Sequence, residues 1–240
     1  MKVHSEKNYY LSVKPKIMEG VEEVEAYLKR VLRRYFDGAT TTRLLRETRF
    51  GFEELLPQLP YIGGEANVLT ASLIRSAWCL PLFRAMEREG LALREIAKIG
   101  YEQKEHDVES KSPEKKRHVK EFYFSPAMKK VEMQKAKESQ SGKYPEDWVT
   151  RYVEGDGKAF DFGIDFTECA LYNFFKPRDA LKYLPIFCMG DYATYRAFGI
   201  GFKRTKTIAN GEPFCDFRFK SDWTTPRGWP PEALEETFSF

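Results

Sequence analysis

Histidine is scarce. The 240 residues contain only His4, His106 and His118, so no histidine base can lead chemistry in the second half of the chain. His106 stands in the charged stretch QKEHDVE and reads as a surface residue. Cysteine is almost as rare. Cys79, Cys169, Cys188 and Cys215 lie far apart with no CxxC pair, which removes support for zinc knuckles and thioredoxin chemistry. Three thiols with Asp191 suggest zinc only faintly without paired spacing, so no metal or other cofactor is expected. GxSxG, HExxH, P-loop and GxGxxG are all missing, and with them the common hydrolase, protease and nucleotide-binding readings. No apolar run is long enough for a membrane. The longest, Ala66 to Phe83, contains Arg75 and Pro81 and falls short of a span. The N-terminal MKVHSEKNYYLSV lacks a signal peptide's apolar core. A net charge of +3 is too small to imply nucleic acid. The expectation is a reduced, cytoplasmic protein with neither nucleic acid nor membrane as partner, its oligomeric state left open.

What the chain has is aromatic residues, 15% of the total, and two kinds of periodicity. Val21, Val24, Leu28, Val31, Leu32, Tyr35 and Phe36 recur at three- and four-residue spacing, one stripe of an amphipathic helix. Thr41 or Thr42 is expected to cap a second helix through Leu56, ended by Pro57 and Pro60. After YIGGEAN, helices are expected over Val68–Glu89 and Leu91–Tyr101. Residues 111–143 hold ten Lys/Arg against four Glu, a local +6 that leaves about −3 elsewhere. Such a run could meet a polyanion or a membrane. Ser125-Pro126, an N-cap followed by proline at N1, points instead to a solvated helix through Lys137.

After Tyr144-Pro145 the period becomes two. Phe160, Phe162, Ile164 and Phe166 alternate with polar residues, a half-buried strand. Asp156-Gly157 predicts a two-residue turn that sets Val149 opposite Ile164 and Val153 opposite Phe160. Asn210-Gly211 predicts a second such turn, pairing Phe202 with Phe219, Arg204 with Phe217 and Lys206 with Cys215. Thr205 then meets Asp216 on the other face. Between the hairpins, Glu168–Phe198 reads as short helices broken at Pro177 and Pro185. The fold class is therefore α+β: a helical N-terminal half and a C-terminal antiparallel sheet of two β-hairpins linked by short helices. The helical region covers 1–143 and the ββ-αα-ββ region 144–240, packed together as one domain.

The candidate reactive groups are thiols, carboxylates and arginines. Cys169 follows Thr167-Glu168 at a strand-to-helix junction. Cys188 and Asp191 are three apart and share a face if helical. A thiolate beside an arginine would be activated, whereas a buried cysteine is only a small hydrophobe. Arg204 and Cys215 lie on the phenylalanine face, where an arginine needs an anion, a stack or a path to solvent.

Four strings carry a family resemblance: YIGGEANVLT at 61–70, YPEDWVTRYVEGDGKAFDFGIDFTEC at 144–169, FCMGDY at 187–192 and GIGFKRTKTIANGEPFCDFRFK at 199–220. With them the chain resembles the L-2-amino-thiazoline-4-carboxylic acid hydrolase family. The resemblance implies hydrolytic opening of a cyclic amidine-like ring, L-2-amino-Δ2-thiazoline-4-carboxylate, to N-carbamoyl-L-cysteine, within cysteine metabolism. Its pattern falls on Cys169, Cys188, Asp191, Arg204, Thr205, Cys215, Asp216 and Arg218, and on Gly63, Gly64 and Asn67. For that chemistry Asp191 is expected to orient water or protonate the ring nitrogen, with Cys188, Cys215 or Cys169 as alternative catalytic groups. Arg204, with Thr205 and Arg218, is expected to bind the substrate, Arg204 by its carboxylate. Water attack ranks before thiol attack, since no histidine is at hand to activate a thiol. A small-molecule-binding domain similar to the vinyl-reductase and nitric-oxide-sensing type is the non-catalytic alternative.

Overall fold

The computed structural model describes residues 9–235 and Phe238; His4 lies outside them. Two compact units, residues 1–99 and 100–240, can be distinguished.

The first unit is helical. A short turn of helix, α1 (Tyr9–Ser12), leads into α2 (Lys14–Leu32), which buries Val21, Leu28, Val31 and Leu32 on its predicted stripe. Helix α3 (Gly38–Leu55) starts earlier than Thr41 or Thr42 would have it. The Asp37 side chain accepts the Thr40 N–H at 2.7 Å and is the cap. Thr41 and Thr42 lie inside the helix, where the Thr42 hydroxyl donates back to the Gly38 carbonyl, so neither threonine stands at the N-cap. The loop 61–67 opens α4 (Thr70–Arg88), the most deeply buried helix of the unit. Helix α5 (Leu93–Glu109), whose first seven residues belong to this unit and the rest to the next, runs eight residues past Tyr101, the expected end.

The second unit carries the sheet. The basic stretch forms two helices, α6 (Pro113–Tyr123) and α7 (Pro126–Ser139). Each is capped by the serine before its proline, Ser112 on the Lys115 N–H and Ser125 on the Met128 N–H. Then follow β1 (Val149–Glu154), β2 (Phe162–Glu168), α8 (Ala170–Phe175), α9 (Leu184–Ala197), β3 (Phe202–Lys203) and β4 (Cys215–Phe219). The sheet is antiparallel with strand order β1-β2-β4-β3. Pro185 starts α9 rather than breaking a helix, as proline does in a first turn.

The register of β1 differs from expectation. Tyr152, not Val149, stands opposite Ile164, and Val153 faces Gly163 instead of Phe160. Asp156 does not make a two-residue turn. Its carboxylate accepts the N–H groups of Lys158 and Ala159, and Gly157 N–H donates to the Phe160 carbonyl, which widens the loop. A slip of three residues, being odd, exchanges the faces of the strand. It places Tyr152 flat on Phe162, with ring planes 7° apart, and Arg151 on Asp165 at 2.7 Å.

The β3–β4 register is as expected, Phe202 opposite Phe219, but the ladder ends at Lys203. The turn is a 3₁₀ segment, Ile208–Asn210, closed by Gly211 in the left-handed region at φ 85°. Phe162, Phe202 and Phe219 are fully buried under this sheet with Phe217, Tyr192 and Ile200. Each such side chain contributes roughly 1.5–3 kcal/mol of burial.

Candidate functional site

Beyond Lys203 the chain leaves the ladder but keeps its alternation, so Arg204 points inward. It is the largest fully buried side chain, 2% exposed. A buried guanidinium must be neutralised and hydrogen-bonded. Nη1 donates to Asp191 Oδ2 at 2.8 Å and Nη2 to the Cys188 carbonyl at 3.0 Å. Its carbon lies 5.0 Å from the Phe217 ring centre, 5.6 Å from Tyr192 and 5.8 Å from Phe202. The cation is held by rings on its flanks and by α9 at its tip. Asp191 is the open end of this pair: its side chain is 36% exposed against 1% for Arg204. The carboxylate therefore stands where a buried charge meets solvent.

Thr207 organises the thiols. Fully buried, it precedes the 3₁₀ turn, and its hydroxyl donates to Cys188 Sγ at 3.7 Å and touches Cys215 Sγ at 3.5 Å. The Ile208 N–H donates to Cys215 Sγ at 3.3 Å. Cys169, just ahead of α8, is near enough for its charge to be felt at Cys188 and Cys215. Burial raises all three thiols. Cys169 is pushed up to about 11. Cys188 is raised well above the usual thiol value against the pull of Arg204. Cys215 is raised against the Ile208 N–H and the Thr207 hydroxyl. All three are protonated near neutrality, and a thiol is a poor nucleophile.

The remaining sequence candidates are elsewhere. Arg218 lies on the opposite face of the sheet, paired with Asp165 at 2.8 Å. Thr205 is there too, its hydroxyl on Asp216 at 2.7 Å. His106 and His118 are exposed on α5 and α6. Among the described residues no group of three His, Cys, Asp or Glu side chains is placed to hold a metal ion, and no helix is long and apolar enough to cross a membrane.

Sequence reasoning missed Thr207 and a pair of phenols. Tyr195, one turn beyond Asp191 on α9, hydrogen-bonds Tyr123, and burial raises both while the Asp191 charge adds to the effect. The i to i+4 spacing of Asp191 and Tyr195 was the available signal. Thr207 had none, because the strand that would have oriented it stops at Lys203.

In comparisons with known proteins, the family described as L-2-amino-thiazoline-4-carboxylic acid hydrolase matches residues 72–219, more than half of the chain. No curated protein and no solved structure matches. The matched span includes Asp191, Arg204, Thr207 and the three thiols around them.

Proposed function

Because the chain belongs to the L-2-amino-thiazoline-4-carboxylic acid hydrolase family, we propose that it opens a small cyclic amidine-like ring by hydrolysis. L-2-amino-Δ2-thiazoline-4-carboxylate, or a related compound, would yield N-carbamoyl-L-cysteine, as a cytoplasmic step of cysteine metabolism. The observation that carries this reading is Asp191, a carboxylate braced from behind by a buried arginine and open to solvent in front.

Water adds to C2 of the ring and gives one proton through Asp191 to the ring nitrogen as the C2=N double bond opens. The C2–S bond then breaks, C2 becomes the carbonyl carbon of the carbamoyl group as its hydroxyl gives up the second proton, and the departing sulfur takes that proton. One water is consumed and nothing is oxidised. Asp191 orients the water or, in its protonated form, supplies the proton. Arg204 acts through Asp191: both of its terminal nitrogens are already engaged, so a substrate carboxylate would reach it only by displacing that partner. The raised thiols favour water over cysteine as nucleophile; as neutral S–H groups they suit the leaving sulfur.

The test is incubation with L-2-amino-Δ2-thiazoline-4-carboxylate, following N-carbamoyl-L-cysteine by mass spectrometry, for the wild type and Asp191→Asn. Turnover that falls by about 10²–10⁴ in the variant is expected of a lost acid–base group. Turnover unchanged by Asp191→Asn would remove the carboxylate from the mechanism, and absence of turnover in the wild type would overturn the substrate.

A further inference from the structure

The proposed reaction makes no use of the basic stretch. Its ten Lys/Arg against four Glu fall mainly on α6 and α7, which are fixed to the protein by one side only. From α6, Val119 and Tyr123 pack against the phenylalanine core under the sheet. From α7, the Ser139 hydroxyl accepts the Thr150 N–H of β1 at 2.9 Å. Little of either helix is sealed: α6 has no fully buried residue and α7 has Ala136 alone.

Some cations of the stretch are satisfied within the protein: Lys116 by Glu109, Lys135 by Glu132, and Lys129 by the Asp161 carbonyl. Others are not. Lys130, Met133 and Lys137 recur at i, i+3 and i+7, so they share one stripe of α7, and all three are exposed. Lys115 and Phe122, seven apart and exposed, share a stripe of α6 in the same way. Among the described residues, Lys115, Lys130 and Lys137 have no carboxylate within ion-pair distance. Apolar side chains come out at the same place. Phe122 is 52% exposed and Met133 50%, with Val131 on the flank. Scattered singly such residues need no explanation, but these three are gathered within two joined helices.

We infer that the outer face of α7, with the Lys115–Phe122 edge of α6, docks on the surface of an anionic lipid bilayer. The lysines meet the lipid phosphates, and Met133 and Phe122 enter the boundary between headgroups and acyl chains. A nucleic acid would neutralise the lysines but give Met133 nothing apolar to enter; a bilayer accommodates both. The expectation that no membrane is a partner rested on a missing span and a small net charge. Neither weighs against helices lying on the surface, and beyond about 10 Å the charge of the rest of the chain is screened. The face is separate from Asp191, and its test does not depend on turnover.

Sedimentation of the full chain with lipid vesicles tests this. Phosphatidylcholine–phosphatidylglycerol vesicles should carry the protein down in about 0.1 M salt and release it toward about 1 M, where the Debye length falls to about 3 Å. Vesicles of phosphatidylcholine alone should leave it in solution. Lys130→Gln with Lys137→Gln should weaken partitioning about thirtyfold, about fivefold for each cation removed. Phe122→Ala with Met133→Ala keeps the charge and should weaken it at least about tenfold. All four side chains are exposed, so both double variants should melt like the wild type. No sedimentation of the wild type with the anionic vesicles would overturn the docking face, as would equal sedimentation with the neutral ones. Loss in the glutamine variant with none in the alanine variant would overturn the bilayer in favour of a soluble polyanion, which salt-sensitive binding of poly(U) RNA would then show.

Discussion

At the scale of single residues the decisive contact is Arg204 with Asp191. A cation this buried is tolerated only because Asp191, the Cys188 carbonyl and three aromatic rings replace its water. Arg204→Met keeps volume but leaves the Cys188 carbonyl and Asp191 without their donor. It should cost about 2–4 kcal/mol in denaturant titration. Activity on the proposed thiazoline substrate should fall with it, mainly through kcat, because Asp191 would no longer be held in place. A rise in KM with kcat unchanged would instead restore Arg204 to the substrate carboxylate. Thr207→Val removes the hydroxyl that touches both Cys188 and Cys215. With its methyl groups filling the space, it should lower stability by about 1 kcal/mol.

At the scale of elements, the caps test how well local chemistry was understood. Asp37→Ala should cost about 1 kcal/mol by orphaning the Thr40 N–H, whereas Thr42→Ala should cost a few tenths at most, as read by thermal melts. The sequence showed most of the elements, because helical stripes and strand alternation are written in side-chain spacing. It also showed the β3–β4 register, where Phe202 and Phe219 must share a buried face and a slip would expose them. It misplaced β1. The competing pairings there differ by an ion pair, Arg151 with Asp165, and a ring stack, Tyr152 on Phe162. Neither is a local signal. The candidate site was legible to the same depth. Arg204, Asp191 and Cys188 were visible from alternation and helical spacing. Thr207 lies on the irregular chain between strand and turn, where no period applies. Thr205 and Arg218 share the strings of the resemblance yet face away, since neighbours along a strand point to opposite sides.

At the scale of the whole molecule, buried thiols occur in both units and link stability to alkaline pH. Cys79, in α4, is pushed up to about 12 by burial, and Cys169 to about 11. A folded-state value above the unfolded one means that the unfolded chain loses its proton first. Stability is therefore fully present below about pH 9, the ordinary thiol value, and declines as pH rises toward the folded values. Each such thiol contributes a loss of about 1.4 kcal/mol per pH unit within that window. Denaturant midpoints measured from pH 8 to 10.5 should fall above pH 9. Cys79→Ala, though less stable at pH 8, should show a shallower decline. A flat profile in the wild type would mean that the thiols are not sealed as described.

The brace behind Asp191 also says what should inhibit this site. Among the described residues the cation felt by Cys188 and Cys215 is Arg204, which already stabilises a carboxylate, so no sulfur there is primed for attack. Electrophilic warheads would label these cysteines slowly and without selectivity. What the site offers a visitor is a part-exposed carboxylate braced by a buried arginine. Compact planar cations such as amidines and isothioureas should therefore compete with the proposed thiazoline substrate, which a competition assay would show.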